Sequence, residues 1–180
     1  MSVRVFAITL LLPLLAFGAD ERSKKVILIL GPPGSGKTVQ ARNLSRKLGV
    51  PAISMADLLK QNAGWGRAGS QKQLKAQIES GELVNDEMAS RIMADRLRRP
   101  DTERGFVLDG YPTTSKQAEN LDGLLKERSL PAPTVVQLEV PDAVVLERMQ
   151  VRGRADDQPE IMQRRLEEYH REATYVLKHY

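Results

Sequence analysis

A glycine-rich turn that ends in a lysine and a threonine is the first group of residues whose spacing suggests chemistry. Residues 31 to 38 read GPPGSGKT, so four residues separate Gly31 from Gly36, and Lys37 and Thr38 follow at once. In this Walker A pattern backbone N–H groups surround phosphate oxygens, the lysine adds charge and the hydroxyl reaches Mg²⁺. The pattern predicts a nucleoside triphosphate site; the alternative is a tight turn with a solvated lysine. The predicted phosphate-binding residues are Gly34, Ser35, Gly36, Lys37, Thr38 and Val39.

A carboxylate closes a second apolar segment, GFVLD, at Asp109. A lone aspartate at the end of a strand is more often a turn former or a helix cap. Beside a phosphate-binding turn it has the position of the residue that holds Mg²⁺ or its water ligands. Thr38 and Asp109 are therefore the predicted metal residues, with Mg²⁺ held mainly through water.

A group of arginines lies near the C-terminus of the chain. Arg148 and Arg152 share a helix face, Arg154 follows soon after, and Arg164 and Arg165 are adjacent. A solvated basic face is the usual explanation for any one of them. Phosphoryl transfer, however, needs several converging guanidinium groups to neutralise charge on the transferred group.

Strands and helices alternate along the chain, which predicts an α/β fold with a parallel sheet and helices on both faces. Ligands then bind at the carboxyl ends of the strands. An apolar strand begins at Val26, and further strands are predicted at 52–53, 105–109 and 133–140. Helices are predicted at 39–48, 55–61, 71–79, 85–98, 114–128, 142–152 and 159–178.

Composition restricts the class of protein. A chain of 180 residues is sufficient for one domain with a core. Aromatic residues make up 4%, too few for the stacking surfaces of single-stranded nucleic acid binders, and the net charge of +4 is modest, so no nucleic acid partner is expected. The absence of cysteine excludes disulfides and a thiolate zinc site.

The first nineteen residues differ from the rest. Arg4 precedes an apolar run from Val5 to Leu15, and small residues follow up to Ala19. This pattern predicts a secretory signal peptide over Met1 to Ala19, export to the periplasm and no membrane association after cleavage. The alternatives are an N-terminal anchor, a wrongly assigned start codon and a cytoplasmic protein. Export conflicts with the use of ATP, which is scarce outside the cytoplasm.

From Lys24 to Tyr180 the sequence resembles adenylate kinase, a nucleoside monophosphate kinase among the P-loop kinases. The segments that carry the resemblance are GPPGSGKT (31–38), ISMADLLK (53–60), GELV (81–84), GFVLDGYP (105–112), Gln117, RMQVR (148–152), RADD (154–157) and RRLEEYH (164–170). The resemblance implies reversible phosphoryl transfer from Mg-ATP to AMP, giving two ADP, by a monomer. It also implies a three-layer P-loop kinase domain over residues 20–180, with a helical monophosphate-binding insert at 54–84.

The resemblance also assigns roles. The catalytic residues are Lys37, Arg152, Arg154 and Arg165, and Arg148 and Arg152 contact ATP. The residues that bind AMP are Met55, Lys60, Glu82, Leu83, Val84, Gly110, Tyr111, Pro112, Thr113, Gln117, Arg154 and Arg165, with Gln117 reading adenine.

Several positions depart from the family pattern. Met55 replaces a threonine, and Lys60 and Thr113 replace arginines that hold the monophosphate; Lys116 is a candidate substitute for the charge lost at 113. The lid is reduced to residues 152–156, and the last strand and helix of the family are expected to be missing after Tyr180. These departures keep two alternatives open: a nucleotide-binding protein with impaired turnover, and a kinase for another nucleoside monophosphate.

Overall fold

Four parallel strands form the central sheet of the computed structural model, which describes residues 23–62, 84–153 and 158–180. The strands are β1 (Lys25–Leu30), β2 (Ala52–Ser54), β3 (Gly105–Asp109) and β4 (Thr134–Gln137), in the spatial order β2-β3-β1-β4. Every neighbouring pair is parallel. This confirms the α/β class and the parallel sheet.

Six α-helices lie within the described residues. They are α1 (Lys37–Leu48), α2 (Met55–Asn62), α3 (Asp86–Leu97), α4 (Ser115–Glu127), α5 (Asp142–Arg152) and α6 (Pro159–His179), with a short 3₁₀ helix at Pro100–Thr102. The predicted helix at 71–79 lies outside these residues. Two predicted boundaries need correction. The helix α1 begins at Lys37 rather than Val39, and β4 ends at Gln137 rather than residue 140, because its partner β1 ends at Leu30.

Alternate residues of the inner strands pack on opposite faces of the sheet. Leu28 and Leu108 belong to a core formed with α2, α3 and α4. Ile29 and Val107 instead pack with Ala41 of α1. Successive side chains of a strand point to opposite sides of the sheet. Each of these nearly continuous apolar strands therefore packs against helices on both faces. The result is the three-layer arrangement expected of a P-loop kinase.

Two side-chain caps fix the starts of α3 and α4. The Asn85 side chain accepts from the backbone N–H of Glu87 at 2.8 Å and of Met88 at 3.4 Å. The Thr114 hydroxyl accepts from the backbone N–H of Gln117 at 3.2 Å. Such caps satisfy N–H groups that have no partner inside the helix. The cap at Thr114 also fixes the backbone that carries Gln117.

The C-terminal helix is tied to two other helices through its histidines. His170 Nε2 lies 2.9 Å and 3.0 Å from the two carboxylate oxygens of Asp142 in α5. His179 Nε2 lies 2.7 Å from Asp122 Oδ2 in α4. These contacts link α6 to α5 and to α4. No helix within residues 23–62, 84–153 and 158–180 is both long and apolar enough to span a bilayer.

Candidate active site

The glycine-rich turn follows β1 and leads directly into α1. Gly34 and Gly36 have φ angles of 79° and 98°, values that favour glycine. A Cβ at Gly34 would lie 2.8 Å from Cγ of Met149, whereas one at Gly36 would meet nothing within 4 Å. Gly36 is therefore required by backbone conformation, and Gly34 also permits close contact between the turn and α5.

Lys37 is folded back onto the turn. Its Nζ donates to the carbonyl oxygens of Gly31 and Pro32, both at 2.7 Å. Burial lowers the pKa of Lys37 to about 8; Asp109 opposes this shift and Arg152 adds to it. In the free protein, the contacts of the ammonium group do not fully offset the cost of burying its charge. An anion bound at the turn would stabilise the charged form.

Thr38 and Asp109 meet at the carboxyl ends of the two central strands. Asp109 pairs with Ile29 in the register of the sheet, which brings it beside the start of α1. The Thr38 hydroxyl donates to Asp109 Oδ2 at 2.5 Å, and Asp109 is only 5% exposed. A hydroxyl and a carboxylate are hard oxygen donors of the kind that Mg²⁺ prefers. These residues therefore fit the predicted metal.

Ser35 adds a buried hydroxyl to the turn. Within the described part of the chain, its Oγ has no hydrogen-bond partner. A buried polar atom without a partner is costly, so an unpaired hydroxyl here fits a turn that binds a ligand with hydrogen-bonding oxygens.

A single cavity of about 520 Å³ connects this turn to the arginine-bearing helices. Arg148 and Arg152 reach it from α5, and Arg165 reaches it from α6. Met149, which is fully buried against Gly34, lies between the two arginines of α5 and holds that helix against the turn. The cavity thus faces Lys37 and three guanidinium groups at once. Arg154 lies outside the described residues.

The predicted acceptor residues line the other end of the same cavity. Those that contact it are Met55, Lys60, Val84, Gly110, Pro112, Thr113 and Gln117. They come from α2, from the segment before α3, from the segment after β3 and from α4, and only the tertiary fold brings them together. Glu82 and Leu83 fall outside the described residues.

The side chain of Tyr111, a predicted AMP-binding residue, lies in the core. Its side chain is 1% exposed and packs in the core, and its hydroxyl lies 3.1 Å from Ser90 Oγ and 3.3 Å from the Gln117 carbonyl oxygen. Burial raises the pKa of this phenol. Gly110 and Pro112 contact the cavity, whereas the side chain of Tyr111 between them is buried in the core.

Lys116 does not contact the cavity. Its Nζ lies 4.0 Å from the Glu87 carboxylate on the protein surface. An exposed pair at this distance contributes little to stability. In the free protein, the candidate replacement for the charge missing at Thr113 thus lies near Glu87 on the surface.

The sequence reasoning overlooked residues of two elements. Glu168, Tyr169, Ala173, Val176 and Leu177 of α6 form a wall of the cavity. Asp86, at the start of α3, holds Gln117 and Thr114 by hydrogen bonds. The sequence predicted the helix at 159–178 but not which element it packs against. An acidic residue in the first turn, such as Asp86, is common to many helices and does not by itself indicate a site.

The parallel sheet, the phosphate turn after its first strand and the arginines opposite define a P-loop phosphotransferase. The family model described as adenylate kinase matches residues 29–180. An adenylate kinase of Micrococcus luteus is 42% identical over 158 residues, covering 86% of this chain and 77% of the relative. One of Corynebacterium aurimucosum is 44% identical over 153 residues (85% and 84%), and one of Sinorhizobium medicae is 38% identical over 164 residues (86% and 85%). The chain belongs to the adenylate kinase family.

Proposed function

We propose that this protein catalyses reversible transfer of the terminal phosphoryl group of Mg-ATP to AMP, giving two ADP. One observation carries the proposal: Lys37, Arg152 and Arg165 face the same cavity as the Thr38–Asp109 pair. A set of cations and oxygen donors around one space suits a polyphosphate and its metal. The family membership and the names of the relatives support the same activity.

On the donor side, the turn and the start of α1 offer backbone N–H groups and positive charge to the ATP phosphates. Lys37 exchanges its two carbonyl partners for phosphate oxygens, which keeps its ammonium charged. Thr38 and Asp109 would hold Mg²⁺, directly or through water. When bound, Mg²⁺ neutralises phosphate charge and fixes the geometry of the phosphate chain.

On the transfer path, the guanidinium groups of Arg152 and Arg165 balance the charge of the phosphoryl group as it moves. An oxygen of the AMP phosphate forms the new bond to phosphorus while the bond to the ADP leaving oxygen breaks in line. The attacking oxygen is already ionised near neutral pH, so no side chain is needed as a base. Arg154, from the short lid at 152–156, is proposed to join this cluster.

On the acceptor side, residues 54–84 are proposed to form the monophosphate-binding insert within a domain of residues 20–180. Met55, Val84 and Gln117 would surround the base, and Lys60 would approach the phosphate. Glu82 and Leu83 are proposed to complete this side through their backbone.

The test is a coupled assay of ADP formation with Mg-ATP and each of AMP, CMP, UMP, GMP or no acceptor. We expect AMP to raise the rate at least about tenfold above the rate without acceptor, and we expect Lys37→Met to remove this increase. Faster turnover with CMP or UMP than with AMP would instead favour a kinase for another nucleoside monophosphate. No acceptor-dependent turnover would contradict the proposal.

Thr113 supports a second candidate function, a nucleotide-binding protein with impaired turnover. A charge-assisted hydrogen bond contributes about 1.5 to 3 kcal/mol. Thr113→Arg is therefore expected to raise kcat/KM for AMP by about 10 to 100-fold if acceptor binding is limited by the missing charge. An unchanged value would show that other groups already supply it.

The segment from Met1 to Ala19 supports export of the enzyme, with cleavage near Ala19. N-terminal sequencing of protein purified from the native cell tests this, because a mature chain that retains Met1 would contradict cleavage.

A further inference from the structure

The edge of the sheet formed by the amino ends of the strands lies opposite the cavity. In the register of the sheet Lys25 lies beside Gly105 at this edge, whereas the cavity lies where β3 ends at Asp109. Helices α1, α3 and α4 end at the amino edge, because a helix that connects parallel strands runs back along the sheet. The segment after α1 joins it, since the Val107 N–H donates to the Pro51 carbonyl oxygen at 2.9 Å.

Contacts between distant segments bring basic residues together at this edge. Lys24 Nζ donates to the Ser129 carbonyl oxygen at 3.1 Å, and the Arg128 guanidinium donates to the Thr102 hydroxyl at 2.8 Å. We call the surface formed by four segments the basal face. The segments are residues 23–25 (SKK), 45–52 (SRKLGVPA), 95–105 (DRLRRPDTERG) and 126–130 (KERSL).

The basal face carries more positive charge than the whole chain. Its four segments hold ten lysines and arginines and four carboxylates, a net charge of +6, whereas the full sequence has a net charge of +4. All other residues together therefore have a net charge of −2. The positive charge of this protein is thus concentrated at the end of the domain that lies away from the cavity.

Helix dipoles account for only part of this charge. The last turns of α1, α3 and α4 contain basic residues, which interact favourably with the negative ends of these helices. Lys24, Arg99 and Arg104 lie in none of the three helices, and all three are exposed. Arg98, directly after α3, has a side chain that is 66% exposed. These residues extend the positive surface from one helix end to the next.

We propose that the basal face binds the surface of a membrane that contains anionic phospholipids and leaves the cavity facing the solution. Lipid headgroups present many phosphates in one plane, which suits cations spread over four segments better than a single enclosed phosphate site would. The four segments contain no aromatic residue, so the face lacks the stacking groups of single-stranded nucleic acid binders.

The position of the N-terminus favours lipid as the partner. The chain enters the folded domain at the basal face through Ser23, and the apolar run from Val5 to Leu15 lies shortly before it in the sequence. An apolar segment and a basic surface are two signals that reinforce each other at a membrane. The basal face remains after cleavage near Ala19, so the mature chain is expected to bind reversibly. This differs from the sequence-based expectation, because only the fold joins these segments into one face.

The test is sedimentation of the full chain with vesicles in the absence of nucleotide. Vesicles of phosphatidylcholine with about 30% phosphatidylglycerol are compared with vesicles of phosphatidylcholine alone. We expect the partition coefficient to be at least about 100-fold larger for the anionic vesicles at low salt. Raising the salt from about 0.1 M to about 0.5 M should reduce this difference at least about tenfold. Binding to the neutral vesicles measures the contribution of the apolar run.

The basal variant combines Lys47→Gln, Arg99→Gln and Lys126→Gln, three exposed positions in three segments of the basal face. Each basic residue near an anionic surface adds to the attraction, so we expect this variant to bind anionic vesicles at least about tenfold more weakly. Its binding to neutral vesicles should not change.

The matched control combines Arg42→Gln, Arg91→Gln and Arg171→Gln, which removes the same charge from exposed positions outside the basal face. Its binding to anionic vesicles should stay within about threefold of the wild type, because these positions are not held against the lipid surface. The Tm of both variants should remain close to that of the wild type, since all six positions are exposed.

Equal partition of the wild type onto the two kinds of vesicle would overturn the proposal. Equal losses in the basal variant and the control would also overturn it, because net charge alone would then explain binding. Tighter binding to polyuridylate than to anionic vesicles at the same salt, lost in the basal variant, would assign the face to nucleic acid instead.

The coupled assay with anionic vesicles present tests the orientation. Bound protein should form ADP at the rate of the free protein, and a loss of activity on binding would contradict a cavity that faces the solution. Vesicle binding itself is measured without nucleotide. A protein that binds vesicles but has no acceptor-dependent turnover would therefore contradict the proposed function and leave this inference supported.

Discussion

Lys37 carries a largely buried ammonium group whose charge a bound anion would stabilise. In the free protein its ammonium group is held by two backbone carbonyls of the turn and lies among buried neighbours. Burial lowers its pKa from 10.5 to about 8. Between these values the unfolded chain binds more protons than the folded one, so this group makes the free energy of unfolding rise with pH in that window. The desolvation cost is therefore greatest at neutral pH, where phosphate oxygens would relieve it.

The affinity for Mg-ATP is expected to fall as the pH rises above about 8. Bound phosphates favour the charged lysine, so binding must take up a proton wherever free Lys37 is neutral. We expect the dissociation constant from calorimetry to increase about tenfold between about pH 7.5 and about pH 9.5.

The matched control is Lys37→Met, which should bind Mg-ATP weakly and with little dependence on pH over the same range. Equal pH dependence in the two proteins would assign the effect to another group.

At the scale of elements, the phosphate turn and helix α5 are positioned by one contact. Gly34 lies against Met149 and Val145, and Met149 is flanked on its helix by the arginines of the cavity. A larger residue in the turn would push α5 outwards. The glycine thus couples the donor site to the arginine cluster.

Gly34→Ala is expected to destabilise the protein more than Gly36→Ala. Both substitutions impose a backbone conformation that costs about 1 to 3 kcal/mol for a residue with a side chain. Only the first adds a clash, since its Cβ would lie 2.8 Å from Met149 Cγ. Urea denaturation should show a larger loss of free energy of unfolding at 34, and a smaller difference in the Met149→Ala background. Equal losses would mean that the neighbouring helix moves aside at no cost.

The packing between α5 and α6 provides a second test at this scale. Leu166 is 2% exposed and packs with Val145, Met149 and Met162. Leu166→Ala should lower the free energy of unfolding by about 2 to 5 kcal/mol, because it leaves a cavity.

Val151 on α5 is 84% exposed and offers a control for the same kind of truncation. Val151→Ala should change the free energy of unfolding by no more than about 0.5 kcal/mol. Similar losses for both variants would contradict the assignment of Leu166 to the interface that holds Arg165.

For the whole molecule, ligand binding should appear as added stability. Residues of all six described helices line the cavity, so a nucleotide can bind there only when the protein is folded. At a concentration about 100 times its dissociation constant, a ligand adds about 2.7 kcal/mol. For a chain of this size that corresponds to a rise in Tm of about 5 to 10 °C with Mg-ATP.

A thermal scan with and without nucleotide checks this expectation, with Lys37→Met as the control that should shift far less. A Tm unaffected by Mg-ATP in the wild type would contradict a triphosphate site in this cavity.

Local signals predicted most of the architecture. The apolar runs, the capping residues and the glycines are properties of short segments, and the observed helices begin and end within about two residues of the expected positions. The end of β4 could not be predicted from its own sequence, because it depends on where its partner strand β1 ends. The register of β1 and β3, which places Asp109 beside Thr38, likewise depends on pairing between distant segments.

The sequence by itself determined the phosphate turn, the alternation of strands and helices, and the family, because each depends on patterns within short contiguous segments. Only the tertiary structure decided that Tyr111 packs in the core, that Lys116 faces Glu87, and that Thr113 and Asp86 hold the amide of Gln117. The physical reason is that hydrogen-bond partners and burial are set by the packing of separate elements. The same residue types in the same order are compatible with several such arrangements until the sheet and its helices are assembled.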